Sequence, residues 1–426
     1  MSAGVMSYDE AAALVASYAA QQGWVQPAVE RVELSQAQGR VLAQPLFADC
    51  DQPPFARSTR DGYACRAEEM ARHEPLAVAG ASRAGDPPAG PLPPGAVWEI
   101  MTGAPVPAGA DAVVMLEHVE AAGGQVRLLP PRSVAKGENI VAQGAQAHAG
   151  DRLLAAGTTI TAAQIALAAG CGYAALEVYA RPRVAILATG DELVPVESTP
   201  GPGQIRNSNA PMLAAMVAAA GGEPWVLPAA ADSARALDEA LAQAAEADLL
   251  LISGGVSAGK FDLVEPALAR AGARFHFTGV RMQPGKPLVF GELPQRNKAG
   301  SSANGSGRPL PFFGLPGNPV SSAVTFLLFA APVLTALGGG ISFGPRFALA
   351  HLAPMTAGNH AKAGLTRFLP ASCSFAALPG QRPQVTPIPW HGSGDLIALA
   401  RANCFLVVPE DAGHFQAGEI VRILLF

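Results

Sequence analysis

Four stretches between residues 181 and 320 decide how the chain is read. Arg183-Val-Ala-Ile-Leu-Ala188 runs into Thr189-Gly-Asp-Glu192, and Asp248-Leu-Leu-Leu-Ile252 runs into Ser253-Gly-Gly-Val-Ser257. Gln283-Pro-Gly-Lys-Pro287 precedes Leu288-Val-Phe290, and Pro311-Phe-Phe-Gly-Leu315 runs into Pro316-Gly-Asn-Pro319. Each has the form of an apolar strand joined to a turn rich in Gly or Pro. Helix-length, Ala/Leu-rich segments separate them: Asn209 can cap 210–220, which Gly221-Gly222 would stop, and Asp232 or Ser233 can cap 234–246. Strands alternating with helices imply parallel crossovers and an open α/β sheet. Such sheets bind ligands beyond the carboxyl ends of their strands, so three of these loops should crowd one rim. The chemistry there suits a phosphorylated ligand: glycines expose backbone N–H groups, helix N-termini attract anions, and Lys286 adds charge. Asp191, Glu192 and Asp262 could hold a metal or orient a hydroxyl.

A chain of 426 residues is too long for one hydrophobic core, which predicts several domains. It is 50% apolar and only 15% charged, the composition of an ordered globular protein. The net charge of −5 leaves no electrostatic footprint for nucleic acid or an anionic membrane. Local Lys, Arg and helix ends must therefore hold any anionic ligand. Five cysteines form no CxxC and leave one over, which reads as reduced thiols in a cytoplasmic protein. The eight histidines show no zinc-binding spacing, and the first residues lack a basic region followed by an apolar signal core. Val320–Leu337 is 18 residues without a charge, but Ser321, Ser322, Thr325, Thr335 and Pro332 interrupt it, and a buried helix explains it better than a bilayer span.

Outward from the centre, Ser7-Tyr-Asp-Glu10 is a capping box that opens a helix which Gly23 would end. Val29–Leu34 alternates like a strand, and Ser35–Gln38 makes a helical turn closed by Gly39. Residues 1–45 are too small for a core and are paired with 150–180 as one discontinuous α+β domain. Between them, residues 46–149 carry frequent Pro and Gly with short β-prone runs, the pattern of an inserted β-rich domain. Residues 181–338 form the α/β domain, with a polar Gly/Ser tract at 295–308 as a surface loop, and residues 341–426 form a second β-rich domain.

Taken singly, several motifs are ambiguous. Gly254 to Phe261 nearly matches a P-loop, but Phe261 stands where the nucleotide-bound magnesium needs a hydroxyl. Ser253-Gly-Gly255 still exposes amides at a strand end as an anion-binding turn, and Asp262 either caps the following helix or binds a metal. The turns around Asp61, Thr102 and Ser393 have little to identify them by chemistry alone.

Read together and in order, the motifs are specific. Asp61-Gly-Tyr-Ala64, Met101-Thr-Gly-Ala-Pro105, Ala188-Thr-Gly-Asp-Glu-Leu193, Ile205-Arg-Asn-Ser-Asn209, Ser253-Gly-Gly-Val-Ser257, Pro284-Gly-Lys-Pro287, Leu315-Pro-Gly-Asn-Pro-Val-Ser321 and Gly392-Ser-Gly394 resemble the molybdopterin molybdenumtransferases. This is the MoeA family, which includes the E domain of gephyrin, and the resemblance spans nearly the whole chain. It implies a multidomain α/β fold: a molybdopterin-binding-like sandwich, the inserted β-rich domain, the small discontinuous domain and a C-terminal β-barrel-like domain. It further implies a homodimer whose active site lies between the α/β domain of one subunit and the β insertion of the other. Adenylylated molybdopterin and molybdate would give molybdenum cofactor and AMP, with Mg2+ assisting.

Carried over position by position, the resemblance places Lys286, Ser393 and Arg367 at molybdate, with Gln283 beside them. Ser253, Gly254, Gly255, Pro316, Gly317 and Asn318 would line the pterin-nucleotide site. Asp262 and Glu192, with Asp191 and Asp232 nearby, would serve the metal or the pyrophosphate, and Asp61 and Thr102 would enter from the partner subunit. A molybdopterin adenylyltransferase and apo-molybdoenzymes would be transient partners. The chain departs from the family pattern at Gln283, a common Lys or Arg, at Ala56 and Arg60, and at Val141, Ala145 and Gln146, where an Arg and a Glu-Asp pair are usual. Those departures motivate an alternative: a non-catalytic carrier of the same fold that binds the cofactor or its precursor.

Overall fold

The computed structural model describes residues 4–21, 27–256, 263–294, 309–341, 344–354, 364–374, 382–411 and 415–426. The Gly23 helix stop, Ser257, Lys260, Phe261, Asp262 and the tract 295–308 lie outside those residues.

The central stretches form one six-stranded sheet in the order Glu223–Val226, Arg183–Ala188, Leu249–Ser253, Leu310–Leu315, Val289–Leu293, Arg274–Phe277. The first four strands are parallel, and Val289–Leu293 runs antiparallel to both of its neighbours. Alternation along the strands splits the core in two. Val184, Ile186, Leu249, Leu251, Phe313 and Leu315 face the helices Asn209–Ala219 and Pro319–Thr325. Ala185, Leu187, Leu250, Ile252 and Phe312 face the helices Ala234–Ala244 and Val264–Arg270. Both faces are therefore covered, which is why these strands read as unbroken apolar runs.

The charge-free stretch is a core helix, with 83% of its apolar window buried. It runs as Pro319–Thr325, a π-turn Phe326–Ala330, and Ala331–Leu337. Pro332 has no N–H to give the preceding turn, so the wider turn falls where the regular ladder would be broken.

The N-terminal helix Tyr8–Ala19 opens with the Ser7/Glu10 capping box. Its buried side chains Tyr8, Ala11, Val15 and Tyr18 belong to the α/β core beside Phe277, Phe290, Phe329 and Phe368, and the core around Ile160 and Val178 holds none of them among the described residues. Tyr18 also donates a hydrogen bond of 2.8 Å to Glu292, and its ring stands edge-on to Phe290. The apolar face of this helix is satisfied by aromatic side chains distant in sequence, which local pattern does not reveal. Val29–Glu33 does pair antiparallel with Ala175–Tyr179, over a small core containing Val32, Leu42, Ile160 and Val178.

Residues 62–128 build a separate six-stranded sheet. Two short pairings, Leu46–Phe47 with Arg152–Leu154 and Arg57–Ser58 with Ile140–Val141, lead the chain out to it and back. The C-terminal strands close into a five-stranded barrel, because Thr366–Ser374 bonds both Gln384–Pro387 and Cys404–Val408. Gly279–Gln283 leaves the α/β sheet and adds in parallel to the start of Thr366–Ser374, while Val5–Ser7 pairs on its other side. This strand carries the chain from the α/β domain onto the barrel and brings Gln283 level with Arg367.

Candidate active site

Three loops meet at the carboxyl edge of the parallel strands, and they touch backbone to backbone. Thr189 N–H donates to Ser253 O at 3.0 Å, and Gly254 N–H donates to Leu315 O at 3.2 Å. A Cβ on Gly254 would lie 2.6 Å from Thr189 O, and one on Gly317 would lie 3.4 Å from Gly254 Cα. Gly254 and Gly255 have φ of 97° and 62°, the left-handed region where glycine alone is unstrained. Glycine is thus required at Gly254 by both conformation and space. The expected convergence of Ser253, Gly254, Gly255, Pro316, Gly317 and Asn318 is present.

A fourth loop arrives from the C-terminal domain. Asn318 Nδ2 donates to Ser393 Oγ at 2.9 Å, and Val320 N–H donates to Ser393 O at 3.0 Å. The Ser393 carbonyl thus satisfies one of the orphan amides at the start of helix Pro319–Thr325. Ser393 is half-buried and Asn318 exposed, so the pair fixes a hydroxyl at the open edge of the rim.

Lys286 reaches the same edge for a topological reason. Val289–Leu293 is antiparallel to Leu310–Leu315 and Val289 pairs with Gly314, so the turn before Val289 lies at the carboxyl end of Leu315. Gly285 sits at φ 114°, and a Cβ there would come within 2.7 Å of Thr325 Cγ2. The turn is therefore pressed onto helix Pro319–Thr325, and the exposed Lys286 side chain leaves from it. Gln283 Oε1 is buried without a hydrogen-bond partner among the described residues. Burial pulls the Arg367 guanidinium below its ordinary pKa, yet an arginine stays protonated at neutral pH and keeps positive charge beside Gln283.

The acidic side of the rim is looser. Asp191 Oδ1 accepts the Asp232 N–H at 3.0 Å, and a Cβ on Gly190 would come within 2.5 Å of the Glu192 carboxylate, which folds back over it. The Asp232 carboxyl is raised from its ordinary pKa, first by burial and then by the charges of Asp191 and Glu192, although a hydrogen bond from Asp191 opposes the shift. No Lys or Arg pairs with these three acids among the described residues. Nor do any three His, Cys, Asp or Glu side chains among the described residues form a metal-holding group.

Asp61 and Thr102 sit together, but in the insertion. Asp61 Oδ1 accepts from Thr102 N–H at 2.7 Å and from Thr102 Oγ1 at 2.8 Å, and these bonds hold the carboxyl below its ordinary value of 3.8. Both residues are exposed, and no described hydrogen bond joins them to the rim of their own chain. Val141 pairs with Arg57, and Gln146 N–H donates to Gln52 O, so two of the departures lie in the strands and turns leading into the insertion.

Two rim residues were not anticipated as such. Asn209 was expected as a helix cap, but Ser208 precedes the helix and Asn207 Oδ1 takes the Ala210 N–H at 3.1 Å. The Asn209 side chain instead turns inward to the loops. Thr189 is 4% exposed, and its hydroxyl is buried beside Gly255. The signal in sequence was a polar residue at the mouth of each apolar run, which does not distinguish a cap from a tertiary contact.

Comparison with known proteins agrees with this geometry. Family models match residues 6–172 as the MoeA N-terminal region (domains I and II), 185–336 as a probable molybdopterin-binding domain, and 353–426 as the MoeA C-terminal region (domain IV). A molybdopterin molybdenumtransferase of Nostoc sp. is 36% identical over 414 residues, covering 93% of this chain and 88% of that protein. The molybdopterin molybdenumtransferase of Bacillus subtilis is 33% identical over 417 residues, covering 93% and 89%. The crystal structure of the molybdopterin biosynthesis moeA protein from Pyrococcus horikoshii superposes with a TM-score of 0.78 at 28% identity, covering 99% of this chain and 100% of that one. With its three regions matched in order, its rim loops converged and relatives above 30% identity over nine-tenths of its length, this chain belongs to the MoeA family of molybdopterin molybdenumtransferases.

Proposed function

We propose that the protein is the transferase that inserts molybdenum, taking molybdate and adenylylated molybdopterin to molybdenum cofactor with release of AMP. The observation that carries this reading is the Asn318–Ser393 hydrogen bond of 2.9 Å, which couples a hydroxyl of the C-terminal domain to the anion-binding loops of the α/β domain. A tetrahedral oxyanion suits that hydroxyl together with the cations Lys286 and Arg367, while the amides of Ser253–Gly255 and Pro316–Asn318 suit a pterin-linked diphosphate. The two dithiolene sulfurs bond to molybdenum as one molybdate oxygen leaves as water carrying the two thiol protons, and one water adds across the phosphoanhydride as it breaks, giving AMP and the pterin phosphate. The protein contributes positioning and charge neutralisation, with Lys286 opposing the negative charge on the two anions.

The donor chemistry fits Mg2+, a hard cation held through one or two carboxylates and completed by substrate phosphates. Asp191, Glu192 and Asp232 gather negative charge without a described cation partner, and Asp262 follows the Ser253–Gly255 loop in the chain. Asp191, Glu192 or Asp232, completed by substrate phosphates, would hold the ion, which would neutralise phosphate charge. The protein acts as a homodimer in this reading, with residues 46–149 as the module that carries Asp61 and Thr102 to the partner's rim. Five free thiols fit a reducing, cytoplasmic setting, and a molybdopterin adenylyltransferase and apo-molybdoenzymes are its transient partners.

The test is reconstitution: the protein, adenylylated molybdopterin, molybdate and magnesium are combined with an apo-molybdoenzyme. Recovered enzyme activity that depends on molybdate is expected, and no recovery above a protein-free control would contradict the reading.

A further inference from the structure

Two of the rim loops are held together from below by a side chain with no part in the scheme above. Asn209 is 8% exposed, at the start of helix Asn209–Ala219. Its Nδ2 lies 2.8 Å from Ser253 Oγ and 2.6 Å from the carbonyl oxygen of Gly317. A carbonyl oxygen can only accept, so the atom facing it is the amide nitrogen, and the orientation of the amide is fixed. Both amide hydrogens are then used across the gap between the loops. The Ser253 oxygen accepts one of them, which leaves the Ser253 hydrogen to be donated elsewhere. Asn209 Oδ1 is buried without a partner among the described residues, so the side chain is seated for its donors at the expense of its acceptor. Helix capping does not explain it, since Asn207 supplies that bond.

We propose that Asn209 is a positioning residue of the transfer site. Its amide ties the Ser253–Gly255 turn to the Pro316–Asn318 turn and so sets the spacing of the two loops that line the substrate site. The kinetic part of this inference rests on the transferase reading, whereas the tie between the loops belongs to the free protein. An aspartate at this position has the same size and lacks the donor. It sets a carboxylate oxygen against the Gly317 carbonyl, so it opens the loops rather than joining them.

The test compares wild type with Asn209→Ala, Asn209→Asp, Ser253→Ala and the double variant Asn209→Ala/Ser253→Ala. AMP release from adenylylated molybdopterin and amide hydrogen exchange of the substrate-free protein are measured in parallel. Asn209→Ala and Asn209→Asp are expected to lower kcat at least tenfold, with KM for molybdate within twofold of wild type. Exchange at Gly254 and Gly317 should rise by a similar factor, while helix Ala234–Ala244 on the far face of the sheet exchanges as before. Adding Asn209→Ala to Ser253→Ala should cost less than adding it to wild type, because the two share one hydrogen bond. An Asn209→Asp enzyme as fast as wild type, unchanged exchange in both loops, or effects that simply multiply would each overturn the proposal. A wild-type protein that releases no AMP would overturn the transferase reading and the kinetic half of this one, and the exchange data would still decide whether the tie exists.

Discussion

At the scale of single residues, the rim combines fixed hydroxyls and amides with cations of unequal freedom. Lys286 is exposed on a tight turn, so Lys286→Ala should fold normally, and any loss of function reports charge rather than packing. Loss of this group should slow AMP release by about 100-fold or more, the usual effect of removing one preorganised electrostatic contact. Asp61 offers a pH signature. Its carboxyl is held below 3.8 by two hydrogen bonds from Thr102, so its contribution to stability is present above that value and is lost as pH falls through the folded-state pKa. Thr102→Ala removes the hydroxyl bond and keeps the backbone N–H bond, so it should move the Asp61 titration part of the way up toward 3.8 in a carboxyl-resolved NMR titration; an unmoved titration would show that the hydroxyl bond does not contribute. Asn209 shows where residue-level reading of sequence stops. Its place before an apolar helix made it look like a cap, and only the arrival of Ser253 and Gly317, 44 and 108 positions away, reveals its bonds.

At the scale of elements, conformation at one glycine controls where Lys286 stands. Gly285→Ala would have to adopt φ 114° and would meet Thr325 Cγ2 at 2.7 Å. The turn should lift from helix Pro319–Thr325, lowering stability by on the order of 1–3 kcal/mol and activity with it. A thermal melt checks the first effect, and an unchanged Tm would contradict it. The N-terminal helix should be equally sensitive to its cap. Ser7→Ala removes one half of the capping box and should cost about 1 kcal/mol in urea unfolding. The strands of the sheet and their loops were legible because apolar runs buried on two faces are punctuated by Gly and Pro. The antiparallel pairings of Val289–Leu293, the departure of Gly279–Gln283 into the barrel and the docking of helix Tyr8–Ala19 were not, since each depends on partners remote in the chain.

At the scale of the molecule, the candidate site divides into parts that the chain itself assembles and parts that it does not. Strand Gly279–Gln283 carries the chain from the α/β domain onto the barrel, Asn318 and Ser393 bond between the two domains, and the Lys286 turn packs on Thr325 of the helix that Asn318 precedes. Asp61 and Thr102 pair with each other in the insertion, apart from those contacts. In the proposed homodimer each site takes the first group from one subunit and the second from its partner. Two inactive variants, Asp61→Asn and Lys286→Ala, should then complement: equal mixing with subunit exchange places one intact site in each mixed dimer and recovers about a quarter of wild-type activity. Absence of recovery in dimers shown to have exchanged would contradict the shared site. The order of motifs made the multidomain nature of the protein legible, while the proposed closure between subunits would be a property of surfaces that no periodicity encodes. The most direct test of the central claim is AMP release from adenylylated molybdopterin, with molybdate and magnesium, by wild type and Lys286→Ala side by side. Molybdate-dependent release by wild type that the substitution abolishes is the predicted result; tight binding of the nucleotide with no release by wild type would contradict it and mark the protein as a carrier.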